Sequence, residues 1–334
     1  MKHNKFKVSF CVPVYNCGKI GYDLAMDLLS NDNINFQVVV SDDCSNDDTI
    51  KWLKKISDSR FKLVENKEKQ KGLGNWLQAL NAGDGCYLYL VMGRDCLRSE
   101  NIDYLIKKLD GFNKANIVCI RDRKCISTYI YNKIEAYKNL IDCEHPTGTI
   151  FRRNEFQNLK NRKKYFENAY IYPENYIKRD LIFKYKSGMA DFRVYSSKRY
   201  GNKKKNISHV ESHTKVQYFF PEKRILEVLS MLRAILKDKE LSNGQKLDIF
   251  CQKAEYMFFL VSEAWKNACL DDKFCGHYEV KVRTVGKVEQ LKNIFTAYGT
   301  LKQYYKKEEW YNEQMLNKIF YKTVSELLMK GRCL

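Results

Sequence analysis

VVVSDDCSNDDT, residues 38–49, is the stretch from which the fold can be read most directly. Three β-branched residues, typical of a buried strand, run into the paired carboxylates Asp42 and Asp43. The Ser, Asn and Asp residues that follow favour the start of a helix. A strand that ends in carboxylates and turns into a helix is typical of the ligand-binding edge of an open α/β sheet. An ordinary strand, turn and helix cap without a ligand site would have the same pattern. The neighbouring segments are therefore needed to distinguish the two interpretations.

Strand and helix patterns alternate through the first 110 residues. Short apolar runs predict strands, and apolar residues at three and four spacing predict helices between them. The predicted strands are 7–14, 36–41, 61–65 and 86–92, and the predicted helices are 22–29, 49–55 and 74–82. A helix at 101–109 and strands at 115–121 and 191–195 follow. This order predicts an α/β domain with a mostly parallel sheet and right-handed crossovers.

The net charge is strongly positive and unevenly distributed. The chain has 334 residues and a formal charge of +19, of which residues 111–224 carry +14. Such an excess favours an anionic partner: nucleic acid, a phosphorylated substrate or anionic lipid. Nucleic acid is disfavoured, because no RNP, helix-turn-helix or zinc-finger pattern accompanies the charge.

Cysteine usage and hydropathy bear on the compartment. The twelve cysteines include no C-x-x-C pair, and residues 1–10 carry no apolar signal segment. These features predict a reduced, cytoplasmic protein with buried thiols. Since no run of about 18 apolar residues is present, we expect contact with a membrane, if any, at its inner face only.

The last third has a different pattern. Apolar residues at helical spacing predict four or five amphipathic helices, with breaks near 242–244, 271–276 and 298–300. We therefore predict two domains, an α/β domain at 1–215 and a helical domain at 216–334. The pattern leaves three roles open for the helices: packing on one another, a homodimer interface, or membrane-surface docking through residues 304–311 and the closing helix.

Polar side chains cluster at three predicted strand ends. Tyr15 and Asn16 follow the first strand, Asp42 and Asp43 end the second, and Asp95 follows the fourth. No G-x-G-x-x-G pattern and no Walker A lysine is present, which argues against an ordinary dinucleotide or P-loop site. A ring and a carboxylate can instead bind a base, while a further carboxylate binds a divalent cation bridging a diphosphate. The sequence predicts a nucleotide-diphosphate site.

Four segments in order resemble the signatures of glycosyltransferase family 2, which has the GT-A fold. They are PVYN at 13–16, VVVSDDCSNDDT at 38–49, GLGNWLQALNAGDGCYLYL at 72–90 and GRDCL at 93–97. The resemblance covers roughly residues 7–215 and leaves the tail outside. It implies inverting transfer of a sugar from a nucleotide diphosphate sugar, usually UDP-linked, with help from Mg or Mn.

The resemblance also implies a nucleotide site. Asp43 matches the carboxylate that recognises uracil, and Asp42 is its weaker neighbour. The residues on the nucleotide side are Pro13, Tyr15, Asn16, Asp42, Asp43, Asn75 and Arg94.

The metal motif of the family, D-x-D-D, is only partly present. It aligns with Met92, Gly93, Arg94 and Asp95, so one carboxylate remains. One carboxylate with phosphate oxygens and waters suffices for Mg, which keeps several waters. The resemblance makes Asp95 a ligand of Mg or Mn and His209 a metal or phosphate contact, while Arg94 is an alternative source of positive charge.

Acceptor and base are implied by two later segments. HPTGTIFRR, residues 145–153, resembles the acceptor side of the pocket and marks His145, Thr147 and Gly148. An inverting transfer needs a carboxylate base. The family takes it from a Glu-Asp pair that opens a helix, and here the pair is Glu174 followed by Asn175. Glu174 is therefore the predicted base, with Asp180 in reserve.

These inferences combine into one functional hypothesis. The protein is expected to move a sugar from a nucleotide diphosphate sugar, with a UDP-sugar as the expected donor, to a glycan or lipid-linked acceptor. The setting would be bacterial surface polysaccharide synthesis, which includes capsule, lipopolysaccharide and exopolysaccharide. A nucleotidyltransferase and a non-catalytic nucleotide-sugar binding protein remain the alternatives. The first would normally carry a glycine-rich basic loop after the first strand, which this chain does not have.

Overall fold

A computed structural model describes twelve ranges of the chain. They are residues 6–92, 95–96, 98–111, 117–121, 128–141, 146–160, 162–168, 172–184, 189–193, 198–199, 220–269 and 286–329. The chain divides into two compact units. The first comprises Met1–Ala169 and Pro173–His209, and the second comprises Tyr170–Tyr172 and Val210–Leu334.

The first half of the first unit alternates strands and helices. Its elements are β1 Val8–Val14, α1 Lys19–Leu29, β2 Phe36–Asp42, α2 Thr49–Leu53, β3 Phe61–Glu65, α3 Lys71–Ala82 and β4 Tyr87–Leu90. Every residue of β1 and β2 is buried, as expected for central strands covered on both faces. All seven predicted elements are confirmed, with ends that differ by up to three residues.

The second half of this unit is built from shorter elements. They are β5 Asp95–Cys96, a 3₁₀ turn Ser99–Asn101, α4 Ile102–Gly111, β6 Ile117–Arg121, β7 Thr128–Tyr131, α5 Lys133–Asn139, β8 Thr149–Arg152, α6 Arg153–Gln157, α7 Arg162–Asn168, α8 Pro173–Lys184, β9 Met189–Arg193 and β10 Lys198–Arg199. The strand predicted at 191–195 thus occurs two residues earlier. A capping box starts α5, in which Asn132 and Glu135 exchange side-chain and backbone hydrogen bonds of 3.0 Å.

Eight of these strands form one mixed sheet. Their order is β3-β2-β1-β4-β8-β6-β9-β7, and a separate two-stranded sheet pairs β10 with β5. Strands β3, β2, β1 and β4 are mutually parallel, as are β6 and β9, while β8 and β7 run antiparallel to their neighbours. The predicted mostly parallel sheet is confirmed. Because β8 runs antiparallel to β4 and pairs Thr149 with Leu90, the start of β8 lies beside the end of β4.

Aromatic side chains fill the centre of this sheet's core. The ring of Phe10 lies 5.7 Å from that of Phe36 and 5.2 Å from that of Tyr89, and all three are almost fully buried. The turn into β4 needs a glycine at position 85, since a Cβ there would lie 2.7 Å from the backbone nitrogen of Ser9. The turn therefore packs directly on β1.

The second unit is helical over the residues that are described. Its helices are α9 Pro221–Leu236, α10 Asn243–Cys269, α11 Lys287–Tyr305 and α12 Glu313–Met329. The predicted break near 242–244 is confirmed, and the one at 271–276 lies outside the described residues. None of the described helices is long and apolar enough to cross a membrane.

One expectation for the helical unit is wrong. The break predicted at 298–300 does not occur, because α11 continues through Gly299. Burial of Ala297 and Leu301 outweighs the low helix propensity of glycine. Within the stretch 304–311, Tyr305 and Trp310 are buried, with their rings 5.3 Å and 5.4 Å from that of Phe250, so both contribute to the core. Docking of this stretch on a membrane surface stays one of the roles left open.

Candidate functional site

The carboxyl ends of β1, β2 and β3 meet at one edge of the sheet. Val14 at the end of β1 pairs with Asp42 at the end of β2, and Asp42 pairs with Glu65 at the end of β3. The residues that follow these ends, including Tyr15, Asp43 and Asn66, are therefore close neighbours. This is the edge at which open α/β sheets bind their ligands.

Asn75 on α3 holds the three strand ends together. Its Nδ2 donates hydrogen bonds of 3.0 Å to the carbonyl oxygens of Val14 and Ser41. Its Oδ1 accepts from Ser41 Oγ at 2.7 Å and from Asn66 Nδ2 at 3.0 Å. Four hydrogen bonds use the full capacity of a buried amide. The observed role is thus structural, and the predicted contact of Asn75 with a nucleotide stays a prediction.

Asp43 fastens the loop that precedes α3. Its side chain is 2% exposed, and its Oδ1 accepts from the backbone N–H of Gln70 at 2.6 Å and from Asn66 Nδ2 at 3.4 Å. Both contacts engage the same oxygen. A carboxylate offers about four acceptor positions on two oxygens, so these contacts leave Asp43 able to accept from a further donor.

Asp42 is equally buried, but it shapes its own turn. Its carboxylate accepts from the backbone N–H of Ser45 at 2.9 Å and from Ser45 Oγ at 2.5 Å. Burial raises the pKa of Asp42 above its ordinary value, and the carboxylates of Asp43 and Asp47 raise it further, against the two hydrogen bonds from Ser45. Asp42 therefore organises the turn rather than presenting its oxygens to the edge.

The loop after β1 carries an aromatic ring and a strained residue. The ammonium of Lys69 lies 4.0 Å from the ring centroid of Tyr15 and donates to Tyr15 Oη at 2.9 Å. Asn16 has a φ of 45°, which asparagine tolerates better than most residues. Its N–H donates to Ser45 Oγ at 2.8 Å, and its Oδ1 accepts from the N–H of Asn46 at 2.9 Å. The turns after β1 and β2 are thus tied to each other.

Three residues at this edge were missed by the sequence analysis. Ser45, Asn66 and Lys69 take part in the contacts above, and the only signal for them was their place in loops beside predicted strand ends. Pro13, which was expected to border the base, is the last residue but one of β1 and is buried. It pairs with Ser41 in the sheet register, and its contact with a nucleotide stays a prediction.

The segment predicted for the acceptor is attached to the end of β4. The N–H of Gly148 donates to the carbonyl oxygen of Leu90 at 3.3 Å, and the N–H of Met92 donates to Thr147 Oγ1 at 2.9 Å. Gly148 has a φ of 100°, which favours glycine. The structure thus brings Thr147 and Gly148 next to the first position of the aligned metal motif. His145 lies outside the described residues.

The two candidate bases lie on one helix in different surroundings. Glu174 is in the first turn of α8 and is 2% exposed, and its neighbour Asn175 is 1% exposed. Asp180 accepts from the hydroxyl of Tyr165 at 2.5 Å and forms an ion pair of 2.6 Å with Arg179. Burial and the Asp180 carboxylate raise the pKa of Tyr165. These contacts tie α7 to α8 and give Asp180 a structural role.

The predicted metal ligands lie at or beyond the limits of the described residues. Asp95 begins β5, but of this residue the structure describes only the backbone, and Arg94 and His209 lie outside the described ranges. Within those ranges, no three His, Cys, Asp or Glu side chains lie close enough to hold a metal ion. Met92 offers a thioether, which a hard cation such as Mg does not favour. The described donors alone therefore do not form a site for a resident cation.

Sequence comparisons relate this chain to characterised proteins. A family model described as "Glycosyl transferase family 2" matches residues 9–220, which is more than half of the 334 residues. The Escherichia coli protein described as UDP-Glc:alpha-D-GlcNAc-diphosphoundecaprenol beta-1,3-glucosyltransferase WfaP is 28% identical over 99 residues. That alignment spans 30% of this chain and 36% of the relative, so the similarity covers only about a third of the relative's length.

Two solved structures share the fold. S. aureus TarS 1-349 in complex with UDP-GlcNAc has a TM-score of 0.60 and 15% identity, and the match covers 98% of this chain and 92% of that one. The mannosyltransferase PcManGT from Pyrobaculum calidifontis, in complex with GDP-Man and Mn²⁺, has a TM-score of 0.51 and 12% identity. This match covers 90% of this chain and 88% of that one. At these identities the likeness concerns the fold alone.

Proposed function

Since the chain belongs to glycosyltransferase family 2 and is a glycosyltransferase with the GT-A fold, we propose that it moves a sugar from a UDP-sugar to a lipid-linked or glycan acceptor in bacterial surface polysaccharide synthesis. The observation that carries the proposal is the pair of Tyr15 and the buried Asp43 at one edge of the sheet. Two similar proteins support the substrates: the E. coli relative is described with UDP-glucose and a diphosphoundecaprenol acceptor, and TarS was solved in complex with UDP-GlcNAc.

The base pocket is proposed to read uracil through a single donor. Uracil presents its N3–H between two carbonyl oxygens, whereas N3 of cytosine is an acceptor. A buried carboxylate offers only acceptors, so Asp43 favours the base that brings an N–H. Oδ1 of Asp43 already accepts from Gln70 and Asn66, and we assign Oδ2 to the base. The ring of Tyr15 supplies a stacking surface beside it.

Glu174 is proposed to act as the base of a direct displacement. As the acceptor oxygen forms its bond to the anomeric carbon, the carbon–oxygen bond to the diphosphate breaks and UDP leaves with the electron pair. The acceptor proton passes to the Glu174 carboxylate. Attack on the face opposite the leaving group inverts the anomeric configuration. Glu174 is preferred to Asp180 because it lies in the first turn of α8, where the family's Glu-Asp pair opens a helix.

The remaining assignments stay with residues named from the sequence. Thr147 and Gly148, with His145, are proposed to face the acceptor, and Asn16 and Arg94 the nucleotide. Asp95 and His209 are the proposed ligands of Mg or Mn. A divalent cation there would supply positive charge to the leaving diphosphate.

A nucleotide panel tests the proposal most directly. The purified chain is incubated with UDP-, GDP-, CMP- and dTDP-sugars, and thermal stabilisation and nucleotide release are measured. We expect stabilisation and slow release with a UDP-sugar. Stabilisation by a GDP-sugar alone would overturn the donor assignment. Stabilisation by a UDP-sugar with no release of UDP would favour a non-catalytic nucleotide-sugar binding protein over the proposed transferase.

A further inference from the structure

Helices α11 and α12 expose four apolar side chains on the helical unit. Val288, Phe295, Tyr321 and Leu328 are 68%, 56%, 65% and 47% exposed. In each helix the two residues are seven apart and therefore lie on one face. We call these four side chains the α11–α12 ridge.

The two halves of the ridge lie on neighbouring helices. The Phe295 ring lies 4.8 Å from that of the buried Phe320, which in turn lies 5.4 Å from that of Tyr321. At the other end, Lys287 Nζ, next to Val288, lies 3.3 Å from the carbonyl oxygen of Leu328. The two helices are therefore antiparallel neighbours.

Exposed lysines are interleaved with the ridge. Lys292 lies four residues after Val288 and three before Phe295, and Lys318 lies three before Tyr321, so both share the faces of the ridge. Both are exposed. At the far end of the pair, the acidic Glu313 is already engaged by Lys302 at 2.6 Å. The exposed Glu289 and Glu326 lie about 100° and 140° around their helices from Val288 and Tyr321, away from the face of the ridge. That face thus combines apolar side chains with positive charge.

We propose that the α11–α12 ridge docks the protein on an anionic lipid surface. Apolar and aromatic side chains flanked by lysines are the combination that binds in the interface of a bilayer, where the side chains enter the boundary region and the ammonium groups meet anionic headgroups. The biological need rests on the proposed function, because a lipid-linked acceptor resides in a membrane. The docking itself requires no sugar transfer.

A second copy of the chain fits the ridge less well. A symmetric contact would bring Lys292 and Lys318 of one copy close to the same residues of the other, and like charges oppose association. The exposed area of the four side chains is on the order of 400–500 Å², below the roughly 800 Å² per partner of a stable interface. Lipid headgroups instead complement the lysines.

Vesicle co-sedimentation tests the docking surface. The full chain is mixed, without nucleotide, with vesicles of phosphatidylcholine alone or with about 30% phosphatidylglycerol, which mimics an anionic leaflet. We expect sedimentation with the anionic vesicles. The double variant Phe295→Gln, Tyr321→Gln should remain in solution, whereas the matched control Phe259→Gln, which changes a 52% exposed aromatic on α10 outside the ridge, should sediment like the parent.

A second pair of variants separates charge from apolar contact. Lys292→Glu with Lys318→Glu should weaken partition to anionic vesicles by about tenfold or more, since each lysine near a charged bilayer contributes to binding. Circular dichroism and UDP affinity confirm that each variant is folded, and they keep this test separate from the proposed function.

Three results would overturn the docking proposal. The first is a parent protein that sediments with neither vesicle. The second is a ridge variant that sediments as well as the parent. The third is a dimer, detected by analytical ultracentrifugation, that the ridge variant abolishes, because the ridge would then bind a second copy.

Discussion

Asp42 and Asp43 are adjacent in sequence and equally buried, yet their carboxylates have different partners. Ser45 engages Asp42 within a local turn, while Asp43 reaches Gln70 and Asn66, more than twenty residues along the chain. The contacts with Ser45 use both carboxylate oxygens of Asp42, whereas the contacts of Asp43 with Gln70 and Asn66 use Oδ1 alone. This difference supports Asp43, rather than Asp42, as the residue that hydrogen-bonds to the base.

Asp43→Asn tests that assignment with a change of one atom. The amide keeps an oxygen for the N–H of Gln70 but turns a donor toward the N3–H of uracil, so two donors meet. We expect UDP affinity to fall by about 100-fold, close to 3 kcal/mol. Isothermal titration calorimetry measures the change. Asp48→Asn, on an exposed side chain, is the control, and unchanged affinity in Asp43→Asn would contradict the assignment.

Glu174→Gln tests the base. The amide has the same shape but cannot take a proton, so transfer should slow by about 100-fold or more while UDP affinity changes little. Asp180→Asn is the matched control on the same helix. It should lower the unfolding temperature and leave the rate of sugar transfer little changed, since Asp180 binds Tyr165 and Arg179. Rapid transfer by Glu174→Gln together with inactive Asp180→Asn would exchange the two roles.

At the scale of elements, helix α11 illustrates how packing overrides local preference. Gly299 and its neighbours Tyr298 and Thr300 predict a break, yet the helix continues from Lys287 to Tyr305. The hydroxyls of Thr296 and Thr300 donate to the carbonyl oxygens four residues earlier at 2.9 Å and 2.7 Å. Buried Leu301 and Tyr305 anchor the second half of the helix. Only tertiary contacts reveal this continuity.

Gly299→Ala should therefore stabilise the protein. A Cβ at this exposed helical position would meet no atom within 4 Å, and alanine favours a helix over glycine by roughly 1 kcal/mol. Chemical denaturation followed by circular dichroism measures the gain in the free energy of unfolding. Gly85→Ala provides the opposite control, because its Cβ would lie 2.7 Å from the backbone of Ser9. A destabilised Gly299→Ala would contradict a continuous helix.

The loop before β8 is a second case at this scale. The sequence marks Thr147 and Gly148 as a turn entering a strand, and it does not say which strand they adjoin. The antiparallel pairing of β8 with β4 decides this, because it brings Gly148 to Leu90 and Thr147 to Met92. A parallel β8 would have carried this loop to the opposite edge of the sheet.

At the scale of the whole molecule, positive charge concentrates in the middle of the chain. Residues 111–224 carry +14 of the total +19. A donor with two phosphates is attracted to such a field, and salt weakens the attraction. The loss of carboxylates from the metal motif is consistent with this distribution, since lysine and arginine side chains can neutralise phosphate without a metal ion.

Cation dependence is therefore expected to be partial. UDP should bind in the presence of EDTA, because the proposed contacts of Tyr15 and Asp43 with the base need no metal. Mn²⁺ should increase affinity and transfer, and Asp95→Ala should remove that increase while leaving the affinity in EDTA unchanged. Calorimetry and transfer assays with and without Mn²⁺ measure both. Complete loss of UDP binding in EDTA would contradict this prediction.

Local sequence determined the strands and helices from β1 to β4 and the acids at the strand ends. β-branched runs, helix caps and apolar spacing act over a few residues, so the sequence contains what is needed to predict these elements. Tertiary structure alone decided that Asp42 closes a turn while Asp43 holds a loop, that Asn75 joins three strand ends, that Thr147 and Gly148 adjoin β4, and that α11 continues through Gly299. These outcomes depend on contacts between residues distant in sequence and on burial, which arise only when the chain is packed.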